Sequence, residues 1–398
     1  KSQMEANRSA IENNAFVINN FRNAEVIESM GMLGDIRHRW QDKHHQTLSL
    51  QAHVNSRAGT LSSISRVFRI TVQSMILGLG AYLVIEQAIT PGLMIAGSIL
   101  LGRALAPVDM LIASWRQFAL ARNQYHRLSD FLDKIPEDAQ RMTLPPPQGV
   151  VTAENVSLAP PGTRRVVLKN ISFKIQRGDV VGVIGASASG KTTLARGILG
   201  IWPVIAGEMR LDGAAVFELN RDEAGPYLGY LPQDIELFEG TVSENIARFG
   251  EVDPDAVVAA AKLTGVHEMI LRLPLGYDTR VGAAGNTLSA GQRQRIALAR
   301  AVYKFPRLVV LDEPNSNLDD QGEFALVNTL KHLKDNGTTV IVISHRKSIV
   351  AGVDKLMLIR DGALVLYGPK NEVMSKMNAN IASMRARSVR VDGEGSHQ

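Results

Sequence analysis

The sequence predicts an α-helical, membrane-spanning first part followed by an α/β domain with a mainly parallel sheet. Three observations carry this. Residues 67–88 (VFRITVQSMILGLGAYLVIEQA) are mostly apolar and, as a helix, would cover about 33 Å, enough to cross a bilayer. Beyond residue 151, short β-branched runs alternate with helical stretches, as in VVGVIGA, RLVVLDEP and TTVIVISH, the pattern of an α/β sheet. Between the two parts stand Pro136 and the run Pro145-Pro146-Pro147, through which a helix does not continue.

A chain of 398 residues exceeds one compact core, so two domains are expected. The expected division is a membrane-domain part (1–135), a Pro-rich linker (136–150), an α/β domain (151–374) and a basic, disordered tail (375–398). Lys and Arg total 44 against 39 Asp and Glu, a net charge of +5. A nucleic-acid binder gathers its charge into a stripe. Here the one local cluster is Arg385, Arg387 and Arg390, read as a solvated tail, and no nucleic-acid partner is expected. There is no cysteine, which excludes disulfides and thiol chemistry and fits a reducing cytosol. The chain opens on Lys1 without a signal-peptide pattern, which reads as a fragment of a longer protein.

Residues 1–65 read as polar amphipathic helix. A second apolar stretch, 91–112, follows the first but contains Arg103 and Asp109. Each costs on the order of 3 kcal/mol at a lipid-facing helix centre, so both should face protein, water or the membrane edge. A soluble helical hairpin is the alternative. Charge placement favours two spans: the turn 86–90 has no Lys or Arg, whereas Arg37, Arg39, Lys43, Arg57 and Arg66 precede and Arg116, Arg122 and Arg127 follow. Both outer ends would then be cytoplasmic.

The chemistry-bearing motifs lie in the α/β part. Residues 185–192 read GASASGKT, directly after an apolar strand and before a helical run. That is the G-x-x-x-x-G-K-[ST] phosphate loop in its required context. The backbone of Gly185, Ala186, Ser187, Ala188, Ser189 and Gly190, and of Lys191, Thr192 and Thr193 at the helix start, would cradle phosphate oxygens. Lys191 would neutralise the β- and γ-phosphates of ATP, and Thr192 would offer a hydroxyl to Mg²⁺. Residues 308–313 read LVVLDE, a buried strand ending in two acids. Asp312 would lie beside Mg²⁺, and Glu313 would orient and polarise the attacking water.

Residues 288–292, LSAGQ, followed by RQRIALARA, resemble the LSGGQ signature of ABC ATPases. The resemblance implies that Ser289, Gly291 and Gln292 complete the ATP site of a partner subunit, so that hydrolysis needs a homodimer. It also implies that Gln233 in YLPQD touches Mg²⁺ and the membrane domain, that Asp319 in NSNLD is the D-loop aspartate, and that His345 in VISHR contacts the γ-phosphate. The first part, FRNAEVIESMGMLGDIRHRW and two spans, looks like the last cytoplasmic loop and spans of an ABC exporter half-transporter, with a coupling helix at 21–26. DEPNSNLD and APPGTRR look like the ATPases of type I secretion. The implied fold is two transmembrane helices followed by an α/β P-loop ABC ATPase domain. The implied role is ATP-driven export of an unfolded protein across a bacterial inner membrane, with a periplasmic adaptor and an outer-membrane channel as partners. Lipid, drug or peptide export is the alternative, ahead of a non-transport ABC ATPase. The sequence departs from the family pattern in three places. Ala290 replaces a glycine, VGAAG (281–285) replaces the usual VGERG, and Pro160 stands where an aromatic stacks on adenine. Arg164 or Arg165 would then cover the base.

Overall fold

The computed structural model describes residues 2–133, 145–163, 165–282 and 288–379. The chain falls into two compact units, Lys1–Glu137 and Asp138–Gln398.

The first unit is helical: α1 (Ser2–Arg22), α2 (Ala24–Ser29), α3 (Leu33–Ile85) and α4 (Pro91–Leu132). Helix α3 runs 53 residues without a proline to break it. Its second part, Arg66–Ile85, is long and apolar enough to cross a membrane, and Phe68, Ile70, Leu79 and Ile85 point away from the protein. The turn to α4 begins at Gln87, with φ of 58°. Thr90 then caps α4 by accepting from the Leu93 N–H, and Pro91 takes the first turn, where its missing donor costs nothing. Among the described residues, the apolar stretch of α4 is Pro91–Ala104, within the 91–112 expected as a second span. Residues 21–26 hold the end of α1 and the start of the short α2, with Phe21 and Val26 exposed.

The second unit contains two main sheets. One is antiparallel, in the order β2-β1-β4-β5, from β1 (Val151–Leu158), β2 (Leu168–Ile175), β4 (Val204–Leu211) and β5 (Ala214–Ala215). The other runs β12-β11-β3-β10-β9-β6, from β3 (Val180–Ile184), β6 (Leu228–Leu231), β9 (Leu308–Asp312), β10 (Thr339–Ile343), β11 (Lys355–Arg360) and β12 (Ala363–Pro369). All its neighbours are parallel except β12, which returns antiparallel on β11 through Asp361 and Gly362, both at positive φ. That is the hairpin turn an Asp-Gly pair favours. A short ladder joins β7 (Gly240–Thr241) and β8 (Arg280–Val281).

The central strands β3, β9 and β10 are apolar except at their ends, Asp312 and Thr339, and at Gly182, because both sheet faces are covered. On one face Val340 and Val342 join Val309 and Leu311 in a core with α7 (Val242–Ile246), α8 (Pro254–Leu263), α9 (His267–Leu271), α10 (Ala290–Val302), α11 (Asp320–Asp335) and α12 (Lys347–Ala351). On the other, Ile341 and Ile343 join Val310, the antiparallel sheet, α5 (Lys191–Ile198) and Ala224 of α6 (Arg221–Ala224). Every parallel strand thus ends on the same side, where an open α/β sheet carries its site. Residues 370–379 are helical and Val373 is buried, so ordered backbone continues past 374 into the stretch read as tail. Residues 380–398, with the arginine cluster, lie outside the described residues, as do Pro136 and Ala283-Ala284-Gly285.

Arg248 was not legible in the sequence. Its guanidinium donates to Arg300 O and Ala301 O at the end of α10, and to Gly225 O and Leu228 O beside β6. Burial pushes its pKa down to about 10, so it stays charged at neutral pH and complements the negative end of α10. Arg248→Met would leave four carbonyls without that donor. A loss of roughly 3 kcal/mol of domain stability is expected by denaturant titration. A loss below about 0.5 kcal/mol, the range of ordinary surface changes, would mean that water replaces the guanidinium.

Candidate functional site

The site forms where β3 turns into α5. An added Cβ at Gly185 would stand 2.3 Å from Ile359 O and 2.8 Å from Ser189 Oγ, so only glycine fits there. Gly190 caps α5 with φ of 103°, and Ala188 also lies at positive φ, 62°. The resulting loop places the amides of residues 185–193 around the start of α5. Lys191 Nζ folds back on the loop, donating to Gly185 O at 3.0 Å and Ala186 O at 2.8 Å.

A cleft of about 250 Å³ is lined by Val167, Ser187, Ala188, Gly190, Lys191, Thr192, Thr193, Gln233 and Glu313. The chain thus brings together groups named from three separate motifs: the phosphate loop with its Lys191, Gln233 after β6 and Glu313 after β9. Val167, which the motifs did not flag, supplies an apolar wall. Pro160 follows β1, and its carbonyl accepts from the Thr163 hydroxyl at 2.9 Å. Arg165 is exposed, and Arg164 lies outside the described residues.

Asp312 ends β9 with 1% of its surface exposed. Neither carboxylate oxygen has a hydrogen-bond partner. Burial, the largest cause, pushes its carboxyl above the usual range, and nearby Glu313 pushes the same way; the Thr192 hydroxyl, near but outside bonding geometry, offsets part of it. A buried, unpaired carboxylate is costly. With a threonine hydroxyl beside it, this oxygen set suits a hard divalent cation such as Mg²⁺. Glu313 itself sits at φ of 50°, a left-handed backbone that a non-glycine residue adopts at a cost of about 1 kcal/mol or more.

The signature residues do not line this cleft. Ser289 and Gln292 form a capping box at the start of α10. The serine oxygen accepts from Gln292 N–H, which leaves its own proton free to donate. Gln292 and Asp319 line a separate cleft of about 730 Å³. Asp319 caps α11 through Gly322 N–H and pairs with Arg295; these contacts hold its carboxyl below the usual range. His345 is exposed in the loop after β10, preceded by Ser344, whose hydroxyl donates to Asn315 Oδ1 at 2.9 Å. Within one chain, the phosphate loop therefore meets Gln233 and Glu313 but not Ser289, Gly291 or Gln292.

Residues 168–316, which hold the phosphate loop, the signature and both acids, match the family described as ABC transporter. The chain is 45% identical over 383 residues, 96% of its length, to the type I secretion system ATP-binding protein PrsD of Rhizobium meliloti. The chain belongs to the ABC transporter family. It is also 31% identical over 93% of its length to the leukotoxin translocation ATP-binding protein LktB of Mannheimia haemolytica. It superposes with a TM-score of 0.86 and 25% identity on a bacterial Atm1-family ABC exporter with ATP bound, over 97% of this chain and 68% of that one. It spans 66% of the length of PrsD and 52% of LktB. The C-terminal unit is thus an ABC ATPase domain, and the helices before it correspond to an exporter's helical region.

Proposed function

We propose that this chain is the ATPase-bearing part of an ABC exporter that moves an unfolded protein across a bacterial inner membrane in type I secretion. The observation that carries the reading is 45% identity across 96% of the chain to a type I secretion ATP-binding protein. Residues Arg66–Ile85 would cross the membrane, with the ATPase domain in the cytoplasm, and a periplasmic adaptor and outer-membrane channel would complete the path.

The separation of the phosphate loop from the signature supports a head-to-tail homodimer. Each nucleotide would lie between the loop of one subunit and Ser289 and Gly291 of the other. Lys191 would leave its two loop carbonyls for the phosphates. Asp312, Thr192 and Gln233 would hold Mg²⁺, which supplies charge neutralisation at the phosphates. Glu313 would orient the attacking water, and His345 would donate to the γ-phosphate. Asp319 lies beside the signature helix and would face the dimer partner.

Deleting the coding sequence from its host should remove a specific protein from the culture medium. Wild-type sequence should restore it, and Glu313→Gln should not. An unchanged set of secreted proteins, with altered lipid composition or drug resistance, would assign the chain to lipid, drug or peptide export instead.

A further inference from the structure

Gln294 lies two residues past the signature pentapeptide, on the inner face of α10, with no exposed surface. Its amide nitrogen donates to Pro314 O and, at 3.3 Å, to Glu313 O. Its amide oxygen accepts from the Asn317 N–H at 2.9 Å and the Ser316 hydroxyl at 3.4 Å. One turn earlier on the same face, Gly291 approaches the same segment: an added Cβ would stand 2.7 Å from Asn317 O. Residues 291 and 294 are neighbours on a helix surface. The signature helix therefore grips the whole backbone from Glu313 to Asn317 through one glycine and one buried amide.

That segment contains the left-handed Glu313, whose N–H donates to Ile343 O at 3.0 Å. The strand thus holds one side of the Glu313 peptide, and Gln294 holds the other. All four polar contacts of Gln294 go to this segment, and a buried amide gives up such contacts only at a cost. A displacement at the start of α10 is carried to Gln294 within a single helical turn.

We propose that Gln294 is a positioning residue that fixes the Glu313 turn from the signature helix and thereby couples the two ATP sites of the dimer. This rests on the head-to-tail reading. In that arrangement Ser289 and Gly291 face the partner's nucleotide, while Glu313 faces the nucleotide of its own subunit. Engagement of one nucleotide by α10 then sets the carboxylate that acts on the other. Gln294 touches no reacting atom.

Gln294→Met keeps the side-chain length and removes every polar contact. In the nucleotide-free chain, amide hydrogen exchange over residues 313–319 should accelerate, because the Asn317 N–H loses its acceptor. In ATP hydrolysis, kcat should fall on the order of 10²-fold through misplacement of Glu313, with KM for ATP within about threefold of wild type because the phosphate loop is untouched. Gln294→Glu keeps the acceptor and loses the donors, so Asn317 protection should return while kcat stays low; it also serves if the Met variant fails to fold. On the Glu313→Gln background, ATP should trap dimers with or without Gln294→Met, but only the chain retaining Gln294 should gain protection over 313–319. Unchanged exchange and kcat with dimers intact would overturn the role of Gln294 alone. Equal protection in both trapped dimers would overturn the coupling. Absence of dimers in Glu313→Gln itself would overturn the head-to-tail reading and the coupling with it.

Discussion

Glu313→Gln is expected to bind ATP as wild type does and to hydrolyse it about 10²–10⁴-fold more slowly, the usual contribution of a positioned acid–base group. The amide preserves the size of the side chain and its place on the cleft wall with Lys191, Thr192 and Gln233. It also preserves the Glu313 backbone contacts, since the N–H to Ile343 O and the carbonyl to Gln294 involve no carboxylate. Only the charge that polarises water is lost. ATP should therefore accumulate unhydrolysed between two subunits and hold them together. Single-turnover hydrolysis and the mass of the ATP-bound species measure both effects. Turnover within about threefold of wild type would assign the catalytic carboxylate elsewhere.

Asp312→Asn should move apo stability and ligand stabilisation in opposite directions. The folded chain holds a proton on Asp312 more tightly than the unfolded chain does, because its carboxyl is raised by burial. Between the unfolded and folded pKa values the native state therefore binds more protons. The penalty of the ionised group is complete above the folded pKa and fades as pH falls through it. Asparagine removes the penalty. At pH 8 the nucleotide-free variant should be more stable than wild type by about 1–3 kcal/mol, the cost of an unsatisfied buried polar group. That corresponds to roughly 2–4 °C per kcal/mol for a domain of this size. The difference should shrink toward pH 4, as Asp312 takes up its proton. With Mg²⁺ and ATP the order reverses. Ligand at 100 times its Kd adds about 2.7 kcal/mol to wild type, and the variant should lose the Mg²⁺-dependent part of that gain. A variant no more stable than wild type at pH 8 would show that Asp312 is not an uncompensated charge. A full Mg²⁺-dependent gain in the variant would place the cation on other ligands.

Both predictions start from LVVLDE, a motif legible in the amino-acid sequence, but they use facts the motif does not contain. The strand and its two acids are local: four apolar residues covered on both faces, then Asp312 and Glu313 at the strand end. The phosphate loop is equally local, since its glycines, lysine and helix start lie within nine residues. The hairpin at Asp361-Gly362 follows from two adjacent residues that tolerate positive φ. The stretch 66–85, long and apolar enough to cross a membrane, follows from composition. The one expected over 91–112 gives a weaker signal, since it carries Arg103 and Asp109, and among the described residues its apolar stretch is Pro91–Ala104.

Other features depend on where distant segments meet. Arg248 reads as a surface arginine in NIARFG, and only packing against the end of α10 turns it into a four-carbonyl donor. Gln294 left a faint trace: it shares a helical face with buried Ala297, Leu298 and Ala301, where a polar residue is out of place. Its partners, residues 313–317, lie some twenty positions away and no pattern names them.

By itself the sequence determined which local elements form and which chemical groups they carry: a phosphate loop, paired acids at a strand end, a capped signature helix and an apolar span. Each depends on short-range backbone geometry and periodicity, which neighbouring residues dictate. Only the tertiary structure decided that Asp312 is buried without a partner, that Glu313 is left-handed and gripped by Gln294, and that the signature stands apart from the cleft it resembles a part of. Those are matters of burial and of contact across the sheet, set by how all the strands and helices pack at once.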